Sequence, residues 1–78
     1  MNEMFLTRMK VGQKGTVVQI VGGRGISLRL YALGIRPGQQ IVKMSAHFWR
    51  GPVTVGIGRA RIALGFGMAS RILVRVEE

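Results

Sequence analysis

The apolar positions of this chain fall into short runs at strand-like spacing, interrupted by one helical stretch. Lys14–Val21 is rich in β-branched residues, and Gly15 near its start marks a bulge or a close approach of two backbones. Ile26, Leu30 and Leu33 then recur at i, i+4 and i+7, which lines one face of a short helix. Gly34 stands where a left-handed C′ residue is needed, and Ile35 is placed to fold back on Leu30 as a Schellman stop. Pro37-Gly38 follows as a turn, proline setting φ at its second position and glycine supplying positive φ at its third. Gln40–Ala46 reads as the next strand.

Further along, Val53, Val55 and Ile57 alternate with Thr54, Gly56 and Gly58. Gly58 turns the chain into Ala60–Leu64, where Ala60, Ile62 and Leu64 oppose Arg59, Arg61 and Ala63. Gly65–Ser70 reads as one helical turn, and Ile72, Val74 and Val76 form the inner face of a last strand with Arg71 and Arg75 outward. Phe5-Leu6 and Met9 suit a single packed turn. Gly22-Gly23-Arg24-Gly25 reads as a connector into the helix; it lacks the GxxxxGK[ST] order of a phosphate loop. The prediction is a mainly β chain of about five strands, with one short helix between the first and second and a helical turn before the last. Strands this short in so small a chain predict a closed or nearly closed barrel, which hides sheet edges.

Composition narrows the picture. The 78 residues make one domain, 1–78, and 47% hydrophobic residues suffice for its core. With no cysteine the chain has neither disulfides nor thiolate metal sites. The start lacks the basic-then-apolar order of a signal peptide, and no apolar run approaches the ~20 residues that span a bilayer. A soluble cytoplasmic protein is expected.

Charge changes the picture most. Twelve Lys and Arg face three acids, Glu3, Glu77 and Glu78, so the chain carries no carboxylate between Met4 and Val76. Such a surface attracts polyanions, acidic protein faces or anionic headgroups. General acid–base chemistry would have only His47 and Tyr31 to draw on, and neither a hard-metal nor a zinc ligand set can be assembled. No enzyme, metal or cofactor is expected.

The remaining candidates are surface residues. Leu30, Leu33 and Ile35 are assigned to packing against the sheet, leaving Arg29, Tyr31 and Arg36 to project from the helix. His47-Phe48-Trp49-Arg50 sets three rings beside an arginine in one connection; one ring is expected on the core and another free as an anchor, since Trp and Arg dominate interface hot spots. Arg59, Arg61, Arg71 and Arg75 fall on the outer faces of the last two strands. Paired, those strands would oppose like charges, which destabilises a sheet unless an acidic partner covers them.

The order of motifs resembles the FeoA family, small cytoplasmic proteins encoded with the ferrous-iron transporter FeoB. Leu6-x-x-Met9-x-x-Gly12-x-x-Gly15-x-Val17 is similar to the family's opening, and Arg29-Leu30-x-x-Leu33-Gly34-Ile35-x-Pro37-Gly38 to its central signature. Gly51-Pro52-Val53, Ile62-Ala63-Leu64 and Ala69-x-x-Ile72-x-Val74 resemble its later strands. Met68 stands where the family often has an acid, Val11 where proline is common, and the rings at 47–49 in a usually less aromatic connection. The resemblance implies an SH3-like barrel, also found at the C-terminus of metal-dependent repressors. It implies a non-catalytic partner of ferrous iron uptake that docks on the cytoplasmic domain of a FeoB-like membrane transporter. Partner-binding residues are then expected among Arg29, Tyr31, Arg36, Phe48, Trp49, Arg50, Arg59 and Arg61. The alternative is a small basic barrel binding nucleic acid; weak non-specific polyanion binding and self-association are further expectations from charge and from exposed edges and rings.

Overall fold

The computed structural model of the chain describes residues 2–46 and 49–77. The chain forms six strands: β1 (Asn2–Phe5), β2 (Lys14–Ile20), β3 (Gln40–Ala46), β4 (Val53–Ile57), β5 (Ala60–Leu64) and β6 (Ile72–Val76). A 3-10 turn (Leu6–Arg8) follows β1, α1 (Arg24–Ala32) joins β2 to β3, and α2 (Phe66–Ala69) joins β5 to β6. All pairings are antiparallel, in the order β1-β6-β2-β3-β4-β5.

The sheet has six strands where about five are expected. The extra one, β1, reads Asn-Glu-Met-Phe with no alternation, and it is a strand because β6 offers it a partner from Asn2↔Val76 to Phe5↔Leu73. The helix therefore lies between the second and third strands. It also begins two residues before Ile26: Gly23 is the N-cap, and Arg24 and Gly25 belong to the first turn rather than to the connector.

One core serves the whole sheet. Leu64 from β5, Val55 from β4, Ile41 from β3, Val17 from β2 and Val74 from β6 are all buried in it, and Met4 of β1 packs against it. Residues from both ends of the ladder can meet only if the sheet curls. Register shifts at Val17/Gln19 in β2 and Lys43/Ser45 in β3 mark bulges that bend these strands. Among the described residues no ladder joins β1 to β5, so hydrogen bonds do not complete the closure.

Gly15 sits at the tightest point. A Cβ there would lie 2.5 Å from the Arg75 carbonyl oxygen and 2.5 Å from Val74 Cγ1, so β2 and β6 meet only over a glycine.

The helix stop takes the expected form. The Ile35 N–H donates to the Leu30 carbonyl at 2.9 Å and the Gly34 N–H to the Tyr31 carbonyl at 2.9 Å, with Gly34 at φ +90. Leu30 and Ile35 are fully buried. Leu33 departs from expectation. As the C-cap it lies where the helix ends, and at 43% exposure it faces solvent while Ile35 takes the core position. The Pro37-Gly38 turn closes with the Gln39 N–H on the Arg36 carbonyl at 3.0 Å and delivers the chain into β3.

Candidate docking surface

The candidate residues separate to the two ends of β3, a strand of seven residues and so about 20 Å long. At its N-terminal end lies the close of α1. Arg29 stands in the last helical turn, where a cation complements the helix dipole. The Arg36 Nη2 group reaches the Tyr31 carbonyl at 3.5 Å, a long contact that leaves the guanidinium exposed. Leu28, Tyr31 and Leu33 are exposed apolar groups of the same segment, so cations and uncovered apolar surface stand together here. The β4–β5 hairpin lies toward this end too, because Gly58 and Gln40 line one groove. Its two-residue loop is Gly58-Arg59, and Arg61 stands opposite Gly56.

At the other end of β3 lies the connection to β4. Phe48 and His47 fall outside the described residues. Trp49 does not pack on the core: it is 97% exposed. Trp49 and Arg50 both have left-handed backbones, φ 58 and φ 60. The Arg50 guanidinium lies 5.8 Å from the centre of the Phe66 ring of α2, a cation–π contact that ties the connection to the barrel.

The four C-terminal arginines do not form one opposed patch. β6 is flanked by β1 and β2, whereas β5 pairs with β4. Arg75 lies opposite Glu3 and donates to its Oε2 at 3.1 Å. Topology itself thus avoids the like-charge opposition, and the argument for a partner from that repulsion falls away.

Lys43 is not among the expected functional positions, and it is the buried cation among the described residues. Its Nζ donates to the Met9 carbonyl at 2.6 Å and to the Thr7 carbonyl at 3.2 Å. Its backbone exchanges further bonds with Gly12 and Gln13, so one residue pins the Thr7–Gln13 segment onto β3. Burial pushes its ammonium below the ordinary lysine pKa. The signal was available: Lys43 follows buried Ile41 by two residues on one strand, and that phase points inward.

A shallow groove of about 240 Å³ runs over β2, β3 and β4, with Lys14, Gln40, Val42, Gly56 and Glu77 in its lining. None of the described candidate residues lines it. Among the described residues no group of three or more His, Cys, Asp or Glu stands together. No helix among them is long and apolar enough to cross a membrane.

The FeoA domain model matches residues 4–76. The chain belongs to the FeoA family. The crystal structure of an iron uptake regulatory protein (FeoA) superposes with a TM-score of 0.89 at 34% identity, over 99% of this chain and 100% of that one. A zinc complex of FeoA from Stenotrophomonas maltophilia, described as an SH3-domain protein and a candidate ferrous iron transport activating factor, gives 0.75 at 26% identity, over 92% and 89%. A manganese-dependent transcriptional repressor gives 0.85 at 23% identity, over 92% of this chain and 40% of that one, a likeness of fold alone. No curated protein matches the chain by sequence. Family membership and these superpositions agree with the SH3-like, mainly β architecture built above.

Proposed function

We propose that this chain is a non-catalytic accessory protein of ferrous iron uptake that docks on the cytoplasmic part of a FeoB-type transporter. The observation that carries this reading is the family match across residues 4–76, joined by the likeness to an iron uptake regulatory protein. The surface is suited to such a role. Leu28, Tyr31 and Leu33 offer apolar contact area, and Arg29, Arg36, Arg59 and Arg61 surround that end of the barrel with positive charge. In this division of labour the arginines steer and orient an acidic partner face, while burial of the apolar groups supplies most of the affinity. Two uncovered sheet edges, β1 and β5, leave room for self-association as well.

The exposed aromatics argue against a nucleic-acid surface. Phe5 is on β1, Tyr31 on α1 and Trp49 on a connection, so the described residues offer no stacking platform on adjacent strands.

The test is calorimetric titration into the soluble cytoplasmic domain of the cognate transporter at physiological salt, with single-stranded RNA of mixed sequence in parallel. Saturable binding to the domain, weakened by Leu28→Ser and Tyr31→Ala, is the expected result. Binding to RNA that falls steeply with salt, with the transporter domain silent, would move the function to nucleic acid.

A further inference from the structure

Trp49 is the single tryptophan of the chain, and folding leaves it 97% exposed. The largest apolar side chain normally gains from burial, so its position calls for something outside the barrel to receive it. The backbone beneath it strengthens the case. Trp49 and Arg50 are the two non-glycine residues at positive φ among those described, although glycine serves such positions at less strain. Arg50 is held against Phe66 of α2, and α2 packs against the 3-10 turn that carries Arg8. Arg8, Lys10 and Arg50 are all exposed, and from Met4 to Val76 no carboxylate offsets them.

A projecting indole beside cations fits one kind of receiving surface best. A protein partner would have to supply a matched pocket for a side chain that brings no wall of its own. The headgroup region of a bilayer accepts an indole without shape matching, and lipid phosphates meet the cations alongside. We propose that the Trp49–Arg50 tip seats in the headgroup layer of an anionic phospholipid membrane, with Arg8 and Lys10 facing the same surface. One ring and a few charges give reversible attachment, since stable anchoring takes a second signal. The tip stands at the other end of β3 from the surface proposed for the transporter, so both contacts are sterically compatible.

Because Trp49 is the single tryptophan, its emission reports on the tip directly. The purified chain is mixed with vesicles of phosphatidylcholine and phosphatidylglycerol, with vesicles of phosphatidylcholine alone, and with mixed-sequence RNA. No transporter is present, so failure here leaves the docking proposal untouched. The expected result is a blue shift and quenching by brominated acyl chains with the anionic vesicles, and neither with phosphatidylcholine alone. Vesicle flotation should fall roughly tenfold in Trp49→Ala, as one buried ring is lost, and about fivefold in Arg50→Gln, as one interfacial cation is lost. Trp49→Phe should recover part of the binding, and unchanged circular dichroism would show that the variants fold. Flotation with unshifted Trp49 emission would overturn the proposal, leaving charge adsorption alone. Equal flotation of Trp49→Ala would do so too, as would a Trp49 response to RNA with none to vesicles.

Discussion

The chain reverses direction at each end of β3, and the two reversals are built from opposite residue types. Before β3, Gly34 and Gly38 take the positive-φ positions, and the segment between them buries Ile35. After β3, a tryptophan and an arginine take positive φ, and the tryptophan stays in solvent. The first reversal satisfies helix carbonyls and places a core residue. The second gains little from its side chains inside the fold while holding its backbone in a region that costs about 1–2 kcal/mol per non-glycine residue. A turn that serves the fold and a turn that presents a side chain can thus be told apart from backbone and burial together.

The strongest way to test the first half of that contrast is to empty its core position. Leu30 and Ile35 are fully buried and joined by the stop of α1. Ile35→Ala and Leu30→Ala should each lower unfolding free energy by about 2–5 kcal/mol in urea titrations. Leu33→Ala, at the exposed neighbouring position, should cost well under 1 kcal/mol, about the scale of surface substitutions. A loss at Leu33 equal to that at Ile35 would show that the helix face had been misassigned.

The backbone of the same turn is the next target. Gly34→Ala meets open space at its Cβ, so any loss comes from φ +90 and not from a clash. A decrease of about 1–2 kcal/mol is expected from thermal or urea unfolding. A neutral result would mean that the Schellman stop is relaxed and that the contrast with residues 49–50 is not one of strain.

These variants also mark where sequence and structure part. The stop at Gly34, the Pro37-Gly38 turn, the tight approach at Gly15 and the alternation in β4, β5 and β6 are local instructions, and each is visible in neighbouring residues. β1 is not, because four residues without alternation become a strand only through a partner about seventy positions away in the chain. Leu33 was misplaced because a period of 3.6 holds only while the helix lasts. The candidate surface was legible in part. Arg29, Tyr31, Arg36, Trp49, Arg50, Arg59 and Arg61 are exposed as expected, but their division between two ends follows from strand register. Lys43 was missed because a lysine in a strand reads as a surface residue until its phase is compared with Ile41.

Lys43 provides a prediction of intermediate size, from the middle of β3 between the two reversals. Its folded pKa lies below the ordinary 10.5 because burial disfavours the charged form. Between the folded value and 10.5 the unfolded chain binds more protons than the native one, so native stability rises with pH there. Below the folded value both states are protonated and the desolvation penalty is present in full. The stability difference between wild type and Lys43→Met should therefore change in favour of wild type across that alkaline window. Its slope cannot exceed about 1.4 kcal/mol per pH unit, one proton's worth. Parallel stability curves for the two proteins would mean that Lys43 reaches solvent.

The smallest effect on stability is expected at Trp49, and it is the one that separates the two turns most sharply. Trp49→Ala removes a ring that touches little, so unfolding free energy should change by no more than about 0.5 kcal/mol. Trp49→Gly relieves φ 58 but frees the unfolded chain, leaving a net gain of less than about 1 kcal/mol. Its sign is therefore opposite to that of Gly34→Ala, although both exchange a side chain and a hydrogen at a positive-φ position. Urea titration of Trp49→Gly and Gly34→Ala against wild type, followed by circular dichroism, measures this directly. If Trp49→Gly instead loses about 2 kcal/mol or more, a loss on the scale of a core truncation, the indole is holding the β3–β4 connection in place. The turn at residues 49–50 would then serve the fold as the turn at Gly34 does.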